Sequence, residues 1–149
     1  MKQLLRLLSL AAFLILSACG DKTDSSQTDN LFAYKEYVSY ATYGNQSVVS
    51  PIRIELANPL QQYEIMQELP SSILKIYPKV DGTLSIENGR SLVFVPSEDL
   101  QPDTEYSVTV KLSELYEDID KKFKNYTFSF KTIKPNFKVD LGNLQSYSK

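Results

Sequence analysis

Five segments of the chain alternate apolar and polar residues with a period of two. In the first of them, Ile52, Ile54 and Leu56 alternate with Arg53 and Glu55. Successive side chains of a β-strand point to opposite faces, so this alternation predicts strands with one buried face and one wet face. The same pattern recurs in residues 74–80, 83–96, 104–112 and 126–132.

Turn residues separate these predicted strands at short intervals. Asn88-Gly89 stands inside the segment 83–96, and this dipeptide favours the positive φ angles of a two-residue hairpin turn. Asp81-Gly82 indicates another tight turn just before that segment. Five or six strands at such spacing, with no strong long helix between them, predict an all-β fold. The expected architecture is an antiparallel β-sandwich over residues 34–134.

Two segments between the predicted strands are less regular. Residues 60–72 are expected to hold a turn of helix before Pro70. Residues 113–123 are expected to form a short helix or an ordered loop, because Leu115, Ile119 and Phe123 recur every four residues. Neither segment is long enough to change the all-β expectation.

Residues 1–18 have the pattern of a lipoprotein signal peptide. Lys2 and Arg6 give a positive start, and the apolar run 7–16 has about half of the ~20 residues that a membrane-spanning helix needs. The run ends in Leu16-Ser17-Ala18-Cys19, which resembles the lipobox of bacterial lipoproteins. That resemblance implies cleavage before Cys19 and attachment of diacylglyceryl and acyl groups such as palmitate to it. The alternative is a plain secretory signal with an exported free thiol.

Residues 19–33 are predicted to be a lipidated cysteine followed by a flexible tether. The run 20–30 is rich in Ser, Thr and Asp and contains no apolar residue. An acidic sorting signal for surface export, which some bacterial lipoproteins carry after the cysteine, is an alternative role for it. Cleavage removes Lys2 and Arg6 but no acid, so the exported part is acidic and offers no basic patch to anionic headgroups. Membrane attachment is therefore expected to rest on the lipid alone, since two or more acyl chains anchor a protein stably where one does not.

Charge and composition argue against several functions. The 149-residue chain has a formal net charge of -2, so it lacks the basic field that nucleic-acid binding needs. It contains no His, which removes the commonest general base and most zinc and copper sites. Its single Cys cannot form an internal disulfide. We therefore expect no enzyme, no cofactor, no metal and no nucleic-acid partner.

A corner motif stands at the start of the segment 104–112. Leu100 and Pro102 precede Tyr106, which shares a strand face with Val108 and Val110. In Ig-like sandwiches a tyrosine near the start of a late strand hydrogen-bonds back to the backbone a few residues upstream, the tyrosine corner. We predict that Pro102 fixes the turn and that Tyr106 clamps it. An exposed ligand contact at Tyr106 is the alternative, which its apolar face disfavours.

Three segments together resemble the bacterial Ig-like domain of the SbsA type. They are "SPIRIELAN", "LVFVPSEDLQPDTEYSVTV" and "YTFSFKTI", in this order over about residues 48–133. The lipobox, the tether, "FAYKEYVSY", "QELPSSIL" and "FSFKTIKPNFKV" are also similar to the N-terminus of alpha-2-macroglobulin-family lipoproteins of Bacteroides-type bacteria. This resemblance implies an Ig-like or macroglobulin-like β-sandwich that is the first of a string of such domains.

The protease-trapping thioester of that family cannot be carried over to this chain, because Cys19 is followed by Gly20-Asp21 rather than by a Glu-Gln pair. Residues 135–149 resemble a linker and the first strand of a truncated second domain, so we interpret the chain as a fragment. The resemblance implies a spacer and docking domain of an endopeptidase inhibitor, with proteases or further macroglobulin-like domains as partners. A free-standing envelope lipoprotein that binds glycan or protein is the alternative.

The expected location is the cell envelope, with a lipid anchor in the outer membrane and the domain on its periplasmic or surface face. Three further clusters each have a chemical and a simpler interpretation. For Glu114, Glu117, Asp118 and Asp120 these are a Ca²⁺ site and a solvated loop, and for Asp99, Asp103 and Glu105 they are glycosidic acid/base catalysis and separate surface carboxylates. For Tyr34, Tyr37, Tyr40 and Tyr43 they are stacking on a glycan and packing on the sandwich.

Overall fold

The structure is a computed structural model that describes residues 30–134. Nine strands in this range follow a helical turn at 30–33. They are β1 (Val38–Ala41), β2 (Asn45–Gln46), β3 (Ile52–Leu56), β4 (Gln67–Leu69), β5 (Leu74–Tyr77), β6 (Gly82–Glu87), β7 (Ser91–Pro96), β8 (Glu105–Lys111) and β9 (Asn125–Thr132). The signal peptide, Cys19, most of the tether and the start of a second domain were predicted for residues outside the described range.

The nine strands form two sheets that enclose one core. The five-stranded sheet has the order β1-β3-β7-β6-β4, and the four-stranded sheet has the order β2-β9-β8-β5. Every neighbouring pair is antiparallel except β2 and β9, which run parallel over two residues. The prediction of an all-β, antiparallel Ig-like sandwich is therefore confirmed.

The core consists of the inward-facing residues of both sheets, as the period-two alternation requires. The pattern is clearest in β8 and β9, where every second side chain is buried. Burying an aliphatic or aromatic side chain stabilises the fold by about 1.5–3 kcal/mol. The largest fully buried apolar side chains are Tyr106, Ile52, Ile54, Leu56, Leu84, Ile86, Leu92, Leu112, Val38, Val108 and Val110.

The hairpin between β6 and β7 follows its sequence signal with one difference. Asn88 and Gly89 have φ angles of 46° and 69°, which the predicted turn requires. The register closes at Glu87 and Ser91, however, so the loop holds three residues rather than two. The extra residue, Arg90, donates from Nε to the carbonyl of Leu56 at 2.7 Å. It therefore ties the hairpin to the end of β3.

One of the two irregular segments differs from its prediction, and the other agrees with it. The prediction of a turn of helix before Pro70 is wrong, because Gln67–Leu69 form β4 there. A helical turn of the 3-10 type, Ser71–Ile73, follows Pro70 instead. In the second segment, Leu112–Glu114 and Lys121–Phe123 are two single 3-10 turns joined by an ordered loop. β5 ends at Tyr77, whereas the alternation continued to Val80.

The described chain enters and leaves the sandwich at opposite ends. The side chain of Asn30 donates to the carbonyl of Thr127, and Tyr34 Oη donates to the carbonyl of Asn125 at 2.8 Å. Both acceptors lie near the start of β9. The chain leaves after Thr132, the last residue of the same strand. At about 3.3–3.4 Å per residue, the five steps along β9 from Thr127, which Asn30 contacts, to Thr132 span roughly 17 Å.

Candidate functional site

The tyrosine named by the corner motif lies at the end of the sandwich where the chain leaves. Tyr106 is 2% exposed, and its ring stacks on that of Phe130 with centroids 5.4 Å apart. Its Oη accepts a hydrogen bond from the backbone N–H of Gln101 at 2.9 Å. Leu100 is buried, and Pro102 is exposed in the turn. The alternative of an exposed ligand contact disagrees with the burial of Tyr106.

A second hydroxyl holds the same turn from the other strand. Thr132, at the end of β9, is 1% exposed. Its Oγ1 donates to the carbonyl of Gln101 and accepts from the N–H of Thr104 at 3.0 Å. Thr132 is not among the residues predicted from the sequence. The available signal was a threonine in the inward-facing register of Phe128 and Phe130, where a polar group needs a partner.

The turn contains a residue with a left-handed backbone conformation, and an ion pair joins this residue to β9. Asp103 has a φ of 51°, a conformation that Asp tolerates better than most residues. Its carboxylate lies 2.6 Å from Nζ of Lys131. The hydrogen bond from Lys131 is the main cause that lowers the pKa of Asp103, and the positive charges of Lys131 and Lys134 add to it. Asp103 is therefore a paired surface carboxylate.

A groove of about 290 Å³ lies beside this corner. One wall is the segment 78–81 after β5, and the other is the segment 97–101 after β7. The N–H of Ser97 donates to the carbonyl of Asp81 at 2.9 Å and joins the two walls. Tyr106 also lines the groove. The corner and the groove therefore share the loop that Tyr106 and Thr132 hold.

A smaller depression of about 120 Å³ adjoins the groove. The two share Ser97, Glu98 and Asp99, so these three residues form a ridge with a hollow on each side. The floor of the smaller hollow includes Val49 and Val95, which are 67% and 54% exposed. This end of the sandwich thus combines an apolar patch with a carboxylate ridge.

The charge of the groove is negative. Its lining contains the carboxylates of Asp81, Glu98 and Asp99 and one cation, Lys79, which pairs with Asp81 at 3.0 Å. Such a surface favours basic over acidic partners. No group of three or more potential metal ligands lies together within residues 30–134.

The tyrosine run divides into two pairs because the helical turn changes to strand at Val38. Tyr34 and Tyr37 pack on the sandwich, where the centroids of their rings lie 5.2 and 5.4 Å from that of Phe123. The rings of Tyr40 and Tyr43 face each other with centroids 6.0 Å apart, and the two residues are 38% and 59% exposed. Packing therefore accounts for the first pair, and only the second pair is available to a ligand.

The other candidate residues do not meet in one site. Glu114 binds Nζ of Lys111 at 2.9 Å and Oγ of Ser72 at 3.0 Å, and these hydrogen bonds lower its pKa. Asp120 accepts from the N–H of Lys122 at 3.0 Å and so caps a 3-10 turn. These contacts are structural. Asp99 lines the groove, whereas the carboxylate of Asp103 is paired with Lys131 in the turn.

A family comparison identifies the domain that has this geometry. The model of the family described as "Bacterial Ig-like domain" matches residues 33–132, which is two thirds of the chain. The chain belongs to this family. Bacterial Ig-like domains are a non-catalytic domain type and are typical of bacterial surface and envelope proteins. No helix in residues 30–134 is long and apolar enough to cross a membrane.

Comparisons with individual proteins add little to this assignment. No curated protein matches the chain. An L,D-transpeptidase from Mycobacterium tuberculosis H37Rv is 14% identical, with a TM-score of 0.45 over 67% of this chain and 41% of that one. L,D-transpeptidase 3 from Mycobacterium tuberculosis is 12% identical, with a TM-score of 0.44 over 67% of this chain and 38% of that one. The bacterial Ig-like chain thus spans about two fifths of these structures.

Proposed function

We propose that this bacterial Ig-like domain is a non-catalytic spacer and docking domain of a lipid-anchored envelope protein. The observation that carries the proposal is the opposite placement of the two chain ends. Asn30 is bound to the start of β9, and Lys134 follows the end of that strand. A domain with this geometry holds the next domain of the protein away from the anchor by the length of the sandwich.

The proposed anchor is the lipid on Cys19. Residues 16–19 carry the lipobox pattern. Each buried CH₂ of an acyl chain contributes about 0.8 kcal/mol, so two or three chains hold a protein on the membrane. Membrane attachment then needs no basic surface on the domain, which agrees with the net charge of -2.

Mass spectrometry of the mature N-terminus tests the anchor. We expect a chain that begins at Cys19 and carries the mass of diacylglycerol and an added acyl group. Cys19→Ser should release the protein from the membrane fraction. The matched control is Ser17→Ala, which keeps both the cysteine and a small residue before it. A mature chain with an unmodified Cys19 contradicts the proposal.

The larger protein that we propose is an alpha-2-macroglobulin-like protease inhibitor, in which this sandwich is the first domain. The support is the resemblance of the lipobox, the tether and the strand motifs to that family. The thioester chemistry belongs to residues that this chain does not contain. Reading the DNA after Lys149 should reveal further macroglobulin-like domains. A second test adds protease to the full-length protein, and the absence of any trapped complex contradicts inhibition.

A second candidate is a free-standing module that binds glycan. The exposed pair Tyr40 and Tyr43 favours it, because exposed aromatic rings stack on sugars. Titration with soluble peptidoglycan fragments tests it. Tyr40→Ala with Tyr43→Ala should abolish binding, whereas Tyr77→Ala, a more exposed tyrosine on the other sheet, should not. Equal loss in both variants, or no binding by the unaltered protein, contradicts this candidate.

A further inference from the structure

We propose that the groove beside the tyrosine corner, with its adjoining depression, is a docking site for residues 135–141 of the same chain. The groove would then fix the direction in which the polypeptide continues from this domain. The inference rests on the proposed function in one respect, since it gives a spacer domain a defined rather than a free connection to the next domain.

The first argument is where the described chain ends. Thr132 binds the carbonyl of Gln101, and Gln101 lines the groove. Lys134 is only two residues further on. Four extended residues reach at most about 14 Å, which is the span available to the segment between Lys134 and Lys138. Because this segment is tethered, its effective concentration at the groove is on the order of millimolar.

The second argument is charge. The ridge presents Glu98 and Asp99 to both hollows, and Asp81 stands on the facing wall. The chain that continues from here carries Lys134 and Lys138 before its first acid, Asp140. Opposite charges at this spacing favour the bound arrangement and disfavour an acidic competitor.

The third argument is the pattern of apolar residues. Phe137, Val139 and Leu141 alternate with Lys138 and Asp140, so an extended segment presents one apolar and one charged edge. The depression offers the exposed side chains of Val49 and Val95 beside the ridge. Ile133, where the chain leaves β9, is also exposed and adjoins β2 through the bond from its N–H to the carbonyl of Gln46. The apolar edge and the charged edge of the segment therefore each have a counterpart on this end of the domain.

Disulfide trapping in the 149-residue chain tests the proposal. Cys19→Ser removes the natural thiol, and Glu98→Cys with Lys138→Cys places a thiol on the ridge and one on the segment. The control pair is Glu105→Cys with Lys138→Cys, in which the first thiol lies at the same end of the sandwich, on the exposed side of β8 and outside the groove. Mild oxidation is followed in dilute solution, and intramolecular and intermolecular products are separated by size under non-reducing conditions.

We expect the Glu98 pair to close within one chain at least about ten times faster than the control pair, because docking raises the local concentration of one thiol at the other. Asp99→Lys in the same background should slow closure severalfold. Equal rates for the two pairs overturn the proposal, as does a product that joins two chains, which would make a second copy the occupant. Acylation of Cys19 is measured separately, so failure here leaves the proposed function standing.

Discussion

Tyr106→Phe is the sharpest test of the tyrosine corner, because it removes one hydroxyl and keeps the ring. The lost interaction is the 2.9 Å hydrogen bond from the N–H of Gln101. The stacking of the ring on Phe130 and the burial of the side chain remain. Any change in stability therefore reports the hydrogen bond and the order that it gives to the turn.

The expected loss follows from that single bond. An intramolecular hydrogen bond contributes a net 0.5–1.5 kcal/mol, or about 1 kcal/mol, to the free energy of unfolding. In a domain of about 100 residues, a loss of 1 kcal/mol lowers the melting temperature by roughly 4–8 °C. Gln101 is exposed as a residue, so water can partly replace the lost acceptor, and no full burial penalty is added to this loss.

Tyr126→Phe is the matched control. Tyr126 stands on the neighbouring strand and is also 2% exposed, but its hydroxyl makes no hydrogen bond within the described residues. Urea unfolding followed by far-ultraviolet circular dichroism should give a lower midpoint for Tyr106→Phe and little change for Tyr126→Phe, with the same slope for both. Equal midpoints in the two variants refute the clamp.

Three further predictions test other parts of the domain. Burial raises the pKa of Tyr126 to about 12 from 10.0, so the stability that its neutral phenol contributes is complete below pH 10 and is lost as the pH rises towards 12. Burial also raises the pKa of Tyr116, so ultraviolet titration should show late phenolates, and Tyr126→Phe should lose the one near pH 12. Gly82→Ala should destabilise the domain by about 1–3 kcal/mol in thermal unfolding, because its Cβ would touch the carbonyl of Val95 and lie 2.6 Å from the ring of Phe94. Met66 is exposed with a φ of 61°, so Met66→Gly should raise stability by about 0.5–1 kcal/mol, and a loss of stability contradicts this strain.

The long strands were predictable from the sequence because each has one face in the core. β3 and β8 fall inside their period-two segments, β9 begins one residue before its segment, and the hairpin of β6 and β7 falls around Asn88-Gly89. The strands that the pattern did not reveal are short and lie at sheet edges. β2 has two residues and β4 has three, which is too few for an alternation to register. β1 has four residues, but its burial pattern is buried-exposed-exposed-buried and its register is irregular. The positions of these strands are set by pairing with β9, β6 and β3, which is tertiary information.

The candidate site was predictable only in part for the same reason. The corner motif names Tyr106 because its signal is local, with Leu100 and Pro102 a few residues upstream. The groove joins the segments 78–81 and 97–101, which only the folded hairpin brings together. Thr132 is 28 residues from Thr104, whose N–H it accepts. No local pattern contains either relation.

The position of the corner becomes physically meaningful if the domain is a spacer. Tension between an anchor before Asn30 and a domain after Lys134 would pull β9 along its own axis, out of the end where the chain leaves. β9 pairs with β8 at seven positions, and bonds perpendicular to the strands resist such a pull together rather than one by one. The last residue of β9, Thr132, is also bound to the turn that Tyr106 clamps. The two buried hydroxyls therefore reinforce β9 where a load would first act, and the same turn forms a wall of the groove that we propose receives the departing chain.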